Sequence, residues 1–187
     1  SPPTASAVLS SPLATASTTT LEPQIYLPVI ARRSPAGYWG AYVSASIYGI
    51  QYIPPWDMSA GAVFEAHAGK SMSILHWGRR WYANGQYYPF DAALMDNVRQ
   101  GGYLSLLDWT SWAYGQVAHE DAPFFSLANI INGTHDAYIT QWATAARNWG
   151  HPFFLRFNYE MNGDRFPCSE VTNLNSAGQF VQAWRHV

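Results

Sequence analysis

Beyond Gly37 the chain alternates short apolar runs with stretches whose apolar residues recur every three to four positions, each bounded by Gly, Pro or Asn. "YWGAYV" predicts a strand over 38–43, a helix follows over 58–68, and "SMSILHW" predicts a second strand over 71–77. In "FDAALMDNVRQGG", Phe90, Leu94 and Val98 stand at helical spacing, with Gly101 and Gly102 as stop signals. "YLSLLDW" predicts a third strand over 103–109. Tyr138, Trp142, Ala145 and Trp149 then mark one face of a helix that Thr134 can cap and Gly150 ends. "PFFLRFNYE" predicts a fourth strand over 152–160. Ser176 and Gln179 open a capping box for a last helix, in which Phe180, Trp184 and Val187 share a face. Strand then helix, four times over, is the pattern of a parallel sheet built from right-handed crossovers, so the fold class is α/β.

Residues 1–35 break this pattern. Ser, Thr, Ala and Pro dominate there, which predicts an extended tail or linker ahead of one domain over 36–187. Within the tail, "QIYLPVIARR" is apolar enough to dock as a passive strand. The Ser/Thr/Pro bias is that of extracellular linkers, so secretion is the expectation.

Composition narrows the function classes. Charged residues make up 12% of the chain, about half the usual share, while aromatics reach 16%. The net charge is −2 and Lys70 is the single lysine, so no cationic field draws nucleic acid. No apolar run approaches the roughly 18–20 residues that span a bilayer. One cysteine, Cys168, excludes an internal disulfide and a zinc ribbon. No strand is followed by a glycine-rich phosphate loop, so no nucleotide and no cofactor is expected, and without a G-x-S-x-G turn a Ser-His-Asp triad is discarded. His119–Glu120 and His135–Asp136 lack the spacing of a metal helix, and no metal is expected.

The chemistry concentrates in "HPFFLRFNYEMNGDRF". Strand alternation sends Phe154, Arg156, Asn158 and Glu160 to one face and Leu155, Phe157 and Tyr159 to the other. In a barrel strand the outer face packs on helices, whereas the inner face near the carboxyl end carries catalytic groups. Glu160 then faces the pocket, with Arg156 and Asn158 placed to hydrogen-bond it or a substrate; a solvated loop carboxylate is the other reading. Trp77, Trp81, Tyr82, Tyr87 and Tyr88 follow strand two, where aromatic rings stack on sugars or simply pack a long loop. His76 alternates onto the face opposite Trp77. Asp108 and Trp109 end strand three, where one can reach the pocket, or Asp108 caps a helix.

"GHPFFLRFNYEMNG", with "GAYV", "HAGKSMSILHW", "LDW", "HDAYITQWA" and "AWRHV" in that order, resembles the amino-terminal half of glycoside hydrolase family 26, best known for endo-β-1,4-mannanases. The likeness runs over 37–187. It implies a (β/α)8 TIM barrel that acts with retention, a strand-four Glu as general acid/base and a strand-seven Glu as nucleophile. By the motif Glu160 is the acid/base, and by the same resemblance His76 hydrogen-bonds the substrate. After Glu160 the only acidic residues are Asp164 and Glu170, in the loop that follows, so the nucleophile is expected beyond Val187. A barrel of this kind needs about 250 residues, so about four β/α units are expected here, inactive alone. Strands one and four would then be open edges that invite self-association. The loop "EMNGDRFPCSE" places Arg165 and Cys168 where relatives often carry tryptophans near the sugar, which makes Arg165 a candidate contact. The partner implied is a mannan-type polysaccharide. Mixed-linkage β-glucan, β-1,3-xylan and a non-catalytic carbohydrate-binding barrel are the alternatives.

Overall fold

The apolar runs pair side by side in one sheet in the computed structural model, which describes residues 37–115 and 122–187. The tail over 1–35 with "QIYLPVIARR", and the pair His119–Glu120, lie outside the described residues. In chain order the elements are β1 (Gly40–Tyr42), α1 (Ser59–Ala68), β2 (Ile74–Ala83), β3 (Gln86–Tyr87), α2 (Ala92–Gln100), β4 (Leu104–Ala113), α3 (Leu127–Ile131), α4 (Asp136–Trp149), β5 (Phe154–Phe157) and α5 (Gln179–His186). The sheet order is β1-β2-β4-β5, all parallel, with β3 antiparallel on β2. The chain is therefore α/β with a parallel sheet, and β1 and β5 are its outer strands. Among the described residues no helix is long and apolar enough to cross a membrane.

Two strands run further than alternation alone indicates. β2 continues past Trp77 to Ala83, and β4 past Trp109 to Ala113. The cause is a hairpin: Asn84 and Gly85 take left-handed φ values of 51° and 80°, the conformation of a tight Asn-Gly turn, and β3 folds back on β2. β5 is shorter than its apolar run, for a reason that emerges at the site. At Gly40 a side chain would collide with the Ile74 carbonyl across the β1–β2 pair, which requires glycine there.

The core lies between one face of the sheet and the helices. Leu75, Trp77, Trp81, Leu107, Trp109 and Phe157 are buried with Met95 and Val98 of α2 and Tyr138 and Trp142 of α4. Trp109 stacks on Trp142 with ring centroids 4.4 Å apart. The spacing of Tyr138 and Trp142 thus buries one face of α4 as expected, although His135 rather than Thr134 occupies the N-cap position, without a side-chain cap bond. In α5 the buried residues are Phe180 and Ala183, while Trp184 is 58% exposed. The predicted face is corrected by one position because Phe180 anchors the helix on the Phe157 ring. Half of the capping box forms: the Gln179 side chain accepts from the Ser176 N–H at 2.8 Å.

Candidate active site

On the face opposite the aromatic core, alternate residues of the parallel strands floor an open cleft of about 760 Å³. β2 supplies His76, Gly78 and Arg80, β4 supplies Asp108 and Thr110, and β5 supplies Arg156. The register places Gly78 beside Asp108, and Asp108 beside Arg156. These residues are close because they occupy one row of a parallel sheet.

Asp108 is the hub. It is 7% exposed and receives both arms of the Arg156 guanidinium, Nε to Oδ1 at 2.5 Å and Nη2 to Oδ2 at 2.6 Å. With its proton on Nε2, His76 donates to Oδ2 at 2.8 Å. A bidentate guanidinium–carboxylate pair is both strong and directional, so it fixes the Arg156 plane. Donating to the Asp108 carboxylate holds the Arg156 charge even more firmly than usual. Gly78 keeps the floor low beside this network: a methyl there would sit 3.4 Å from the Asp108 Cβ.

Alternation along β5 stops after Phe157. Asn158 and Glu160 take φ values of 55° and 51°, in the left-handed region that Asn tolerates. The Asn158 side chain is buried, accepts from the Ser111 N–H at 2.9 Å and donates to the Ser111 hydroxyl at 3.0 Å. This bracket turns the chain, so that Tyr159 and Glu160, successive residues, both line the cleft. Glu160 is exposed at its rim. Beneath the loop the Cys168 thiol approaches the Tyr159 carbonyl at 3.5 Å, and burial pushes its pKa up to about 11. Burial likewise raises the Tyr159 phenol.

Of the residues singled out from sequence, His76, Asp108, Arg156 and Glu160 come together here. Others do not. Trp77, Trp81 and Trp109 are 2%, 0% and 1% exposed on the helix-facing side, so none offers a ring to a sugar. Their parity is odd relative to His76, and that face is the core. Trp77 donates to the Ser105 hydroxyl and Trp109 to the Tyr138 hydroxyl, while Trp81 packs against Trp109. Asn158 is a structural bracket rather than a cleft residue. Arg165 is exposed near the Phe166 ring and does not line the cleft. Asp108 caps no helix, because β4 runs on past it. Tyr87 stacks on Tyr138, whereas Tyr88 lines the cleft.

The histidine of the His135–Asp136 pair is buried between the Tyr87 hydroxyl at 2.6 Å and the Phe124 carbonyl at 2.9 Å. Asp136 instead holds His186 at 2.7 Å. Among the described residues no group of three or more His, Cys, Asp or Glu side chains converges as a metal site would require.

Of the walls, sequence reasoning singled out Tyr88 and missed Tyr42, Trp56 and Tyr114. Trp56 and Tyr88 flank Arg79, and Tyr114 flanks Arg80, whose guanidinium also lies over Trp112, a buried ring outside the cleft lining. Tyr42, at the carboxyl end of β1, stands edge-on to His76. The missing signal was the Asn-Gly turn: recognising it extends β2 and places Gly78 and Arg80 on the His76 face. Exposed aromatic rings around a polar floor suit the apolar faces and hydroxyl edges of a sugar chain.

No family model matches this chain. Endoglucanase H of Acetivibrio thermocellus is a distant relative, 27% identical over 131 residues that cover 69% of this chain. The chain spans 13% of the length of that curated relative.

Proposed function

We propose that this chain carries the acid/base part of a retaining glycoside hydrolase barrel that cleaves a β-linked polysaccharide, with Glu160 as proton donor. The observation that carries this reading is the position of Glu160 at the rim of an aromatic-walled cleft, beside the Asp108–Arg156–His76 network. The endoglucanase relative and the family 26-like motifs around Glu160 support it.

In such an enzyme a carboxylic acid protonates the leaving glycosidic oxygen while a carboxylate about 5–5.5 Å away attacks the anomeric carbon. Asp108 is unsuited to the second role, because its oxygens are engaged by Arg156 and His76. It acts as a positioning residue, and the nucleophile belongs to a later strand of the complete barrel. Arg156 and His76 retain outward edges that can meet sugar hydroxyls. Polysaccharides are too large to enter a cell, which fits a secreted enzyme.

The name of the relative favours a β-glucan as first substrate, and the motifs favour β-mannan as second. The test is reducing-sugar release from mixed-linkage β-glucan, galactomannan and β-1,3-xylan by the complete gene product and its Glu160→Gln variant. The expected result is activity on one polymer, reduced by roughly 10²–10⁴ in the variant, the usual contribution of a general acid. Equal rates in parent and variant would remove Glu160 from the role. Binding without hydrolysis by the parent would make the barrel a carbohydrate-binding module.

A further inference from the structure

Three of the chain's ten Lys and Arg residues, Arg79, Arg80 and Arg156, line the cleft, against two carboxylates, Asp108 and Glu160. The excess is local, since the whole chain carries a formal charge of −2. Arg156 is engaged by Asp108, and Arg79 has Asp91 at 3.9 Å. Arg80 has no ion-pair partner among the described residues. Its Nη1 donates to the Ala113 carbonyl at 2.9 Å, and its guanidinium lies 4.0 Å from the centre of the Trp112 ring.

This geometry is built. Between Arg80 and Tyr82 the β2–β4 register slips, from Arg80 opposite Thr110 to Tyr82 opposite Ala113, so β4 carries one extra residue where Trp112 meets Arg80. Bulges of this kind re-aim side chains beside functional sites. The stacked ring and the carbonyl hold the guanidinium plane, and part of its donor fork remains for a ligand. Neutral sugar hydroxyls do not require a cation. A guanidinium with no ion pair among the described residues, set in a cleft, concentrates anions, and the planar fork matches a carboxylate in particular.

We infer that the cleft takes an acidic polysaccharide, in which Arg80 pairs with the carboxylate of a uronate residue close to the bond being cut. The inference rests on the glycosidase reading of the cleft and adds the class of its substrate.

The test is affinity electrophoresis of the full chain in gels containing mixed-linkage β-glucan or galactomannan, each neutral and each partly oxidised at C6 to the uronate. One oxidised backbone should be bound roughly tenfold more tightly than its neutral parent, the size of one accessible charge-assisted pair. The preference should vanish in molar salt. The chain's own negative charge opposes unspecific retention by a polyanion. Arg80→Gln should bring the oxidised-to-neutral ratio close to one. Arg185→Gln, the same charge change at an exposed position of α5, should leave the ratio intact. Arg80→Lys, which keeps the charge without the fork, should retain part of it, and supplies the comparison if Arg80→Gln does not fold. Equal binding of neutral and oxidised polymers, or an equal loss in Arg185→Gln, would overturn the uronate assignment and leave the neutral-glycan cleft standing. Failure to bind any of the four polymers would overturn both readings.

Discussion

Replacing Asp108 by alanine removes the acceptor that Arg156 and His76 share. Three bonds are lost, at 2.5, 2.6 and 2.8 Å. Breaking a fully buried pair costs about 3–5 kcal/mol, because the surviving charge is left without solvent. Here Asp108 is buried but the Arg156 side chain is 46% exposed, so water re-solvates the guanidinium and the cost is discounted. About 2 kcal/mol is expected for Asp108→Ala and about 1 kcal/mol for Arg156→Met, with a coupling energy of about 1 kcal/mol in the double-mutant cycle. Urea unfolding at neutral pH, followed by tryptophan fluorescence and far-UV circular dichroism, measures all four corners. The coupling should survive moderate salt, since the carboxylate is shielded from counter-ions. Additivity within about 0.3 kcal/mol would refute the argument that Asp108 positions Arg156. Glycan affinity gives a second readout: both single variants should lose it, and the double variant should lose no more than the worse single.

The two classes of tryptophan should separate cleanly. Trp81→Ala, at a fully buried position, should cost about 3–5 kcal/mol, whereas Trp56→Ala, 40% exposed at the cleft wall, should leave the urea midpoint nearly unchanged and weaken glycan retention in a gel. Burial holds the His135 imidazole below its ordinary 6.5, so the unfolded chain binds that proton more readily than the folded one. That part of the stability is therefore complete above about pH 6.5 and lost as pH falls below it; urea midpoints should drop between about pH 7.5 and 5.5, and an identical slope in His135→Gln would refute the assignment. Cys168, buried with its thiol raised to about 11, should react with a thiol reagent at pH 8 far more slowly in the folded chain than in urea, and equal rates would contradict its burial.

Local periodicity carried much of this molecule. Two-residue alternation located β2, β4 and β5, and 3.6-residue spacing located α4 and its buried Tyr138 and Trp142, because those periods follow from backbone geometry alone. Parity also separated His76 from Trp77, and placed Arg156 on the face away from Phe157. What parity lacks is the identity of each face. That was decided by the helices, which cover the row of Trp77, Trp81 and Trp109 and leave the row of His76, Asp108 and Arg156 open. The same holds for the last helix, where contact with Phe157 rather than spacing left Trp184 outside. The turn that presents Tyr159 and Glu160 together depends on a bond between Asn158 and Ser111, 47 residues apart. A period is a property of neighbouring residues and can be read along a chain. A register, a bulge or a cross-strand bond exists only once distant segments meet, so the cleft that collects Arg80, Asp108 and Glu160 was settled by tertiary structure.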